Sequence, residues 1–251
     1  MHHETLELPH GYKAEIHTDE HPQNPFKEWD CEPPIAVLNW ERYHAKLENY
    51  DGDELNIPIL LAFIPAEKWT SRAGKREILA ALPFDMADLS DTMRDGWGGK
   101  LDFSDAIHEL AETLTPDGWG EWAEYFDTMK AIAAVAGIPC HLTQSNGHSQ
   151  GDSALVFVAA LPAWVEKVGA PAEGLAEQCK NAADLWSAWA WGDVYGVASL
   201  TRPDGTEAPD GSCWGFYGSD YGQSGLMDHC RNAVECDTAH DAACRDIETA
   251  A

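Results

Sequence analysis

The sequence predicts an α+β (or α/β) protein, a mixed and mainly antiparallel sheet with packed amphipathic helices and an acidic surface. Three observations carry this expectation. Segments that alternate apolar and polar residues, such as Gly11 to Thr18, are interleaved with segments of helical period, such as Glu173 to Ala190. Apolar residues make up 44% of the 251-residue chain and include eleven tryptophans, ample for a real core. Against 43 acidic residues stand only 16 basic ones, a formal charge of −27, so the surface is expected to be acidic. The length fits a single α+β domain over 1–251, with 85–137 readable as an acidic helical insertion.

The first strand is read at Gly11 to Thr18, where Tyr12, Ala14 and Ile16 alternate with polar residues. The next stretch is a loop by composition, because Pro22, Pro25, Pro33 and Pro34 block regular structure. Ile35 to Trp40 is a short apolar run expected to form a strand. Asn49 to Asn56 reads as an acidic turn. Ile57 to Ile64 lacks alternation and is read as a strand buried on both faces.

From Asp85 the character changes. Between Asp85 and Asp127 the chain carries a net −10, with only Arg94 and Lys100 as cations. Helical spacing organises these acids: Phe103, Ile107, Leu110 and Leu114 share one stripe, and Asp102, Asp105, Glu109 and Glu112 the opposite one. Thr115 as N-cap and Pro116 at the first position start the next helix. Trp119, Trp122, Phe126, Met129 and Ala133 form its apolar face, and Gly137 and Pro139 end it. A short strand at Cys140 to Thr143, a polar loop from Gln144 to Asp152 and a strong strand from Ala154 to Leu161 follow. Pro162 to Val168 is a short helix. Glu173 to Ala190 is a longer one, with Leu175, Cys179, Ala182, Leu185, Trp186 and Trp189 inward. Two strands joined by a turn-rich connection occupy Gly192 to Gly218, and an alanine-rich helix lies near His229 to Thr249.

Those two strands carry a resemblance. GDVYGV at Gly192 to Val197, then SCWGFYG at Ser212 to Gly218, resembles the C-terminal hairpin of a widespread family of uncharacterised bacteriophage and mobile-element proteins. The early residues Asp19, Glu20, Asn24, Pro25, Glu28, Trp29 and Asp30 are similar to another part of that pattern, as is HSQGDSALVFV at His148 to Val158. The matches touch roughly a quarter of the chain. The resemblance implies a phage or mobile-element origin and expression in a bacterial host. It implies no chemistry, so no catalytic residue carries over, and the hairpin enters as scaffold.

Charge and motif content narrow the function classes. A charge of −27 repels nucleic acid and anionic membrane and attracts a basic protein surface or a divalent cation. No apolar h-region opens the chain and no window of 18 apolar residues occurs, so a cytoplasmic protein is expected. Seven cysteines at irregular spacing read as reduced thiols. Gly96, Gly98 and Gly99 are not followed by Lys-Ser/Thr, and no cofactor is expected. Trp186, Trp189, Trp191, Trp214, Phe216 and Tyr217 resemble a stacking platform, but Arg202 is nearly the lone cation nearby, which argues against single-stranded nucleic acid.

Three sets of candidate residues remain. The first is a partner-binding acidic face made of Asp85, Asp88, Asp91, Asp95, Asp102, Asp105, Glu109, Glu112, Glu121, Glu124 and Asp127. Duplex DNA carries about one charge per 1.7 Å of axis. A single helix with an acid every three or four residues supplies roughly one per 5 Å, so two or three acidic elements are needed to approach that density. An ordinary solvated face explains the same stripe. The second set is Cys140, His148 and Asp152, the residue types of a thiol nucleophile, base and orienter, although no protease signature surrounds Cys140. A cysteine entering a strand is usually a small core residue, and His148 and Asp152 are better explained as satisfying loop backbone groups. The third is Cys230, Cys236, His240 and Cys244 on the last helix, a zinc-type set that lacks the paired short knuckles of structural sites.

The sequence thus points to an acidic phage-type accessory protein that binds and inhibits a basic, nucleic-acid-directed host protein, as an anti-restriction or anti-CRISPR-like DNA mimic would. No direct nucleic-acid or membrane contact is expected. A small hydrolase-type enzyme using the Cys140 to Asp152 loop, and a structural accessory protein, are the alternatives.

Overall fold

The computed structural model describes residues 3–25, 37–41, 44–48, 56–95, 100–114, 119–146, 153–209 and 211–250. In chain order the elements begin with β1 His3–Glu7, β2 Lys13–Thr18, β3 Val37–Glu41 and β4 His44–Glu48. Six helices follow: α1 Ile57–Ala62, α2 Ala66–Thr70, α3 Arg72–Ala80, α4 Met86–Asp95, α5 Phe103–Glu112 and α6 Trp119–Ala136. Then come β5 Cys140–Asn146, β6 Ser153–Ala159, α7 Pro162–Val168 and α8 Leu175–Trp191. The chain closes with β7 Val194–Thr201, β8 Cys213–Tyr217 and α9 Leu226–Ala250. Every strand pairing among the described residues is antiparallel, so the protein is α+β. The chain divides into two compact units, one formed by Met1–Asp30 with Asp184–Ala251 and the other by Cys31–Ala183.

The unit that joins both ends of the chain is built on a four-stranded sheet of order β1-β2-β7-β8. Alternation in β2 places Ala14 and Ile16 in the core, where they meet Val197 and Leu200 of β7. Helix α9 presents Leu226, Cys230 and Val234 to the same cluster, one residue per turn. The hairpin expected from GDVYGV and SCWGFYG is the β7–β8 pair. Its connection begins with a tight turn in which the Arg202 N–H donates to the Thr206 carbonyl at 2.7 Å. Asp204 holds that turn by accepting from the Thr206 N–H at 2.9 Å and its hydroxyl at 2.6 Å. Strand β1 escapes sequence reading because His3–Glu7 is nearly all polar and lies at the sheet edge.

The other unit packs helices around a β5–β6 hairpin, with β3–β4 as a second hairpin. Phe126, Met129, Ile132 and Ala133 of α6 meet Phe157 and Ala159 of β6, Ile107 of α5, Leu89 of α4 and Ile78 of α3 in one core. The acidic stretch therefore shares the core of its neighbours. Ile57 to Ile64, expected as a strand, instead holds helix α1 and the turn that ends it. Asn56 caps it by accepting from the Ile59 N–H at 2.9 Å, and Pro58 sits in the first turn, where its missing N–H costs nothing. Ile57, Leu60, Leu61 and Ile64 are all buried, the spacing of one helical face. Between α2 and α3 the chain turns so tightly that a Cβ on Gly74 would lie 2.3 Å from the Lys68 Cα, a fit only glycine allows.

The remaining helices follow their periodicity closely. In α8, Leu175, Cys179, Ala182 and Trp186 are buried, while Glu177, Lys180, Asn181 and Asp184 are exposed. The cap expected at Thr115 and Pro116 lies outside the described residues, as do the side chains of Trp119 and Trp122.

Candidate interaction surface

Helices α4 and α5 carry most of the acidic stretch and pack against each other. The burial of Ala106, Ile107 and Ala111 fixes the orientation of α5. Asp102, Asp105 and Glu112 are then exposed and Glu109 half-exposed, which is the stripe expected from sequence. Asp105, Glu109 and Glu112 have no ion pair through their side chains among the described residues. They follow one another at helical steps of four and three, about 5 Å apart along the axis.

Several of the other acids have local structural work. The Asp85 carboxylate accepts from the backbone N–H groups of Ala87 at 2.6 Å and Asp88 at 3.0 Å, while Asp88 accepts from the Asp85 N–H at 3.0 Å. This reciprocal arrangement caps α4, and the two backbone donors hold the Asp85 carboxyl below its ordinary range. Asp102 caps α5 by accepting from the Asp105 N–H at 3.0 Å. Asp91 pairs with Arg94 at 2.9 Å, one turn along the same helix. Acids at these positions are explained by helix starts and the helix dipole as well as by a partner. Glu124 and Asp127 are exposed on α6. The side chains of Asp95 and Glu121 lie outside the described residues, as does Asp117.

The proposed thiol site fares differently. Cys140 opens β5 and is half-buried; burial pushes its thiol above the ordinary value, away from the thiolate a nucleophile needs. Neighbouring Cys179 is buried and pushed up to about 12, with its Sγ 3.5 Å from the Pro139 carbonyl oxygen. His148 and Asp152 lie outside the described residues.

The C-terminal zinc-type set is also divided. Cys230 faces the core and burial pushes its thiol up to about 11, whereas Cys236 is exposed. Cys236 and His240 line a groove of about 530 Å³ with Pro209, His229, Asn232, Ala233 and Asp237. Cys230, Cys236 and His240 do not form a metal-type cluster, and the side chain of Cys244 lies outside the described residues. The described cysteines are all free thiols. Among the described cysteines, titration of the folded protein with a disulfide reagent at neutral pH should therefore consume Cys236 first and leave Cys179 and Cys230 intact until denaturant is added. Rapid loss of Cys179 in the native protein would contradict its burial.

Two groupings were not read from the sequence. The first is a buried network in which Asp237 of α9 accepts from Arg202 Nε at 2.7 Å, Arg202 Nη2 at 2.6 Å and the Tyr12 hydroxyl at 2.8 Å. The Asp237 side chain is 3% exposed and that of Arg202 22%. The guanidinium holds the Asp237 carboxyl below its ordinary value, while burial, with Asp237 adding to it, raises the Tyr12 phenol. The signal was present: Asp237 continues the apolar stripe of Leu226, Cys230 and Val234, where a carboxylate is out of place. The second is His3, Glu15 and His17, whose ligand atoms converge on the sheet.

No helix among the described residues is long and apolar enough to cross a membrane. No family model matches the chain, and neither curated proteins nor solved structures provide a match.

Proposed function

We propose that the protein binds a basic, nucleic-acid-directed host protein through the acidic face of α5, with α4 beside it, and inhibits that protein by occupying its nucleic-acid surface. The observation that carries this reading is the stripe Asp105, Glu109 and Glu112, turned away from the core with no ion-pairing cation among the described residues. It sits on a chain of net charge −27, whose long-range field would steer a cationic partner toward it. Asp88 on α4 is exposed as well and raises the charge carried by the helix pair, whereas Asp91 is paired with Arg94. The setting we propose is the cytoplasm of a bacterial host, as an accessory protein of a phage or mobile element.

The test is affinity capture from bacterial lysate with the native protein and with an Asp105→Lys, Glu109→Lys, Glu112→Lys variant. Enrichment of a nucleic-acid-binding protein by the native chain, lost in the variant and at high salt, is the expected result. Equal recovery by both, or recovery of no nucleic-acid-binding protein, contradicts the proposal.

A further inference from the structure

We infer that His3, Glu15 and His17 form a binding site for a divalent transition-metal ion of the zinc class on the outer face of the β1-β2-β7-β8 sheet. The register fixes the geometry. His3 of β1 stands directly opposite His17 of β2, and Glu15 precedes His17 by two residues, so all three side chains project from the same face. Ile16, between the two β2 ligands, is fully buried on the other face, which fixes which way they point. The β1–β2 pairing runs without a bulge from His3 to Glu7, so no slip offsets the two imidazoles.

The side chains converge without satisfying one another. The two imidazole rings lie 4.5 Å apart between centroids and are tilted by 57°. One ligand atom from each of the three residues falls within 4.8 Å of the others. Yet His17 Nε2 is shielded from solvent and has no hydrogen-bond partner. A buried ring nitrogen left unpaired is costly, and a metal ion held between two imidazoles and a carboxylate is one group that could satisfy such a ring.

The rest of the sheet leaves this cluster undisturbed. Across β2, His17 pairs with Gly196, which pairs in turn with Trp214 of β8, so one row of residues crosses four strands. A Cβ on Gly196 would lie 2.2 Å from the Trp214 ring, so the indole occupies the space a side chain there would take. The residue beside His17 therefore brings no competing ligand.

Two imidazoles and one carboxylate are borderline-soft donors, suited to zinc, cobalt, nickel or copper rather than to magnesium or calcium. Zinc bonds of about 2.0–2.1 Å place tetrahedral ligands about 3.4 Å apart, so the three atoms would close by up to about 1.4 Å through side-chain rotation. His3 is exposed at the edge strand and free to make that adjustment. Three protein ligands leave one position for water or another ligand. Bound there, the ion would clip the edge strand to its neighbour.

Calorimetric titration of metal-stripped protein with Zn²⁺ tests this, with Mg²⁺ and Ca²⁺ as controls for attraction to the many surface carboxylates. One zinc per chain, a raised melting temperature with zinc, and no such response to magnesium or calcium are expected. His3→Ala and His17→Gln should each weaken zinc binding by at least about tenfold, and Glu15→Gln should weaken it too. His3 is exposed, so its replacement leaves the fold intact, and the metal-free melting temperature of that variant confirms this. Absence of stoichiometric zinc binding overturns the inference. So does zinc binding unchanged in the His3→Ala, His17→Gln double variant, which would place the metal elsewhere.

Discussion

Replacing Asp237 with alanine is expected to destabilise the unit formed by the two ends of the chain by about 3 kcal/mol, near the lower end for a broken buried ion pair. The lower end applies because the Arg202 side chain, 22% exposed, can still reach water when its partner is lost. Three hydrogen bonds go at once, two from Arg202 and one from Tyr12. Asp237→Asn should recover only part of the loss, because it keeps the shape and removes the charge. Tyr12→Phe removes one hydrogen bond to a charged acceptor and should cost about 1.5 kcal/mol. Urea denaturation of the three variants checks the ranking, and an Asp237→Ala change below about 0.5 kcal/mol would contradict the account, being no more than a neutral surface substitution gives.

The same network fixes a pH dependence. The Asp237 carboxyl is held below its ordinary value in the folded protein, chiefly by the Arg202 hydrogen bonds. Its contribution is therefore fully present above the unfolded carboxyl value of about 4 and is lost as pH falls through the lower folded value. Native stability should drop through that acid window more steeply than that of Asp237→Asn, which has no proton to take up there.

Reversing Asp105, Glu109 and Glu112 to lysine should strongly weaken partner binding while leaving the fold unchanged. Each exposed acid–cation contact is worth a few tenths to 1 kcal/mol, and its replacement by a like-charge contact adds repulsion. Together the three reversals should weaken binding by about a hundredfold, or about 3 kcal/mol. The residues are exposed or half-exposed and none caps a helix through its side chain. Asp105 lies in the first turn of α5, however, so Asp105→Lys works against the helix dipole, and the triple variant should lose no more than about 1 kcal/mol of stability. Asp102 must be kept, since as the cap of α5 its loss alone would cost about 1 kcal/mol.

The helices were legible where one apolar face dominates. In α8 the pattern of Leu175, Cys179, Ala182 and Trp186 names the buried side, and in α5 the stripe of Ile107 against Asp105 and Glu112 does the same. Ile57 to Ile64 misled because nearly every residue is apolar, so periodicity carries little contrast. Asn56 and Pro58 were the better guides, as a helix cap and a residue unsuited to a central strand. Strand β1 was invisible for the opposite reason: an edge strand with polar side chains has no burial to pattern.

The site was legible to a different degree. Sequence spacing placed the α5 acids on one face, but could not separate acids with no local structural work from those that start helices, as Asp85, Asp88 and Asp102 do. The Tyr12–Arg202–Asp237 network joins positions far apart in the chain, and only the sheet and α9 together bring them within hydrogen-bonding distance. The cluster of His3, Glu15 and His17 depends on a strand register that no local pattern encodes.

The central claim is that the acidic face stands in for a nucleic-acid backbone, and competition tests it most directly. A partner captured on the immobilised native protein is challenged with increasing duplex DNA at constant ionic strength. The expected result is displacement of the partner by duplex, with binding that also weakens steeply as salt is raised. A complex that duplex DNA cannot displace, and that the lysine reversals on α5 leave intact, would contradict the claim.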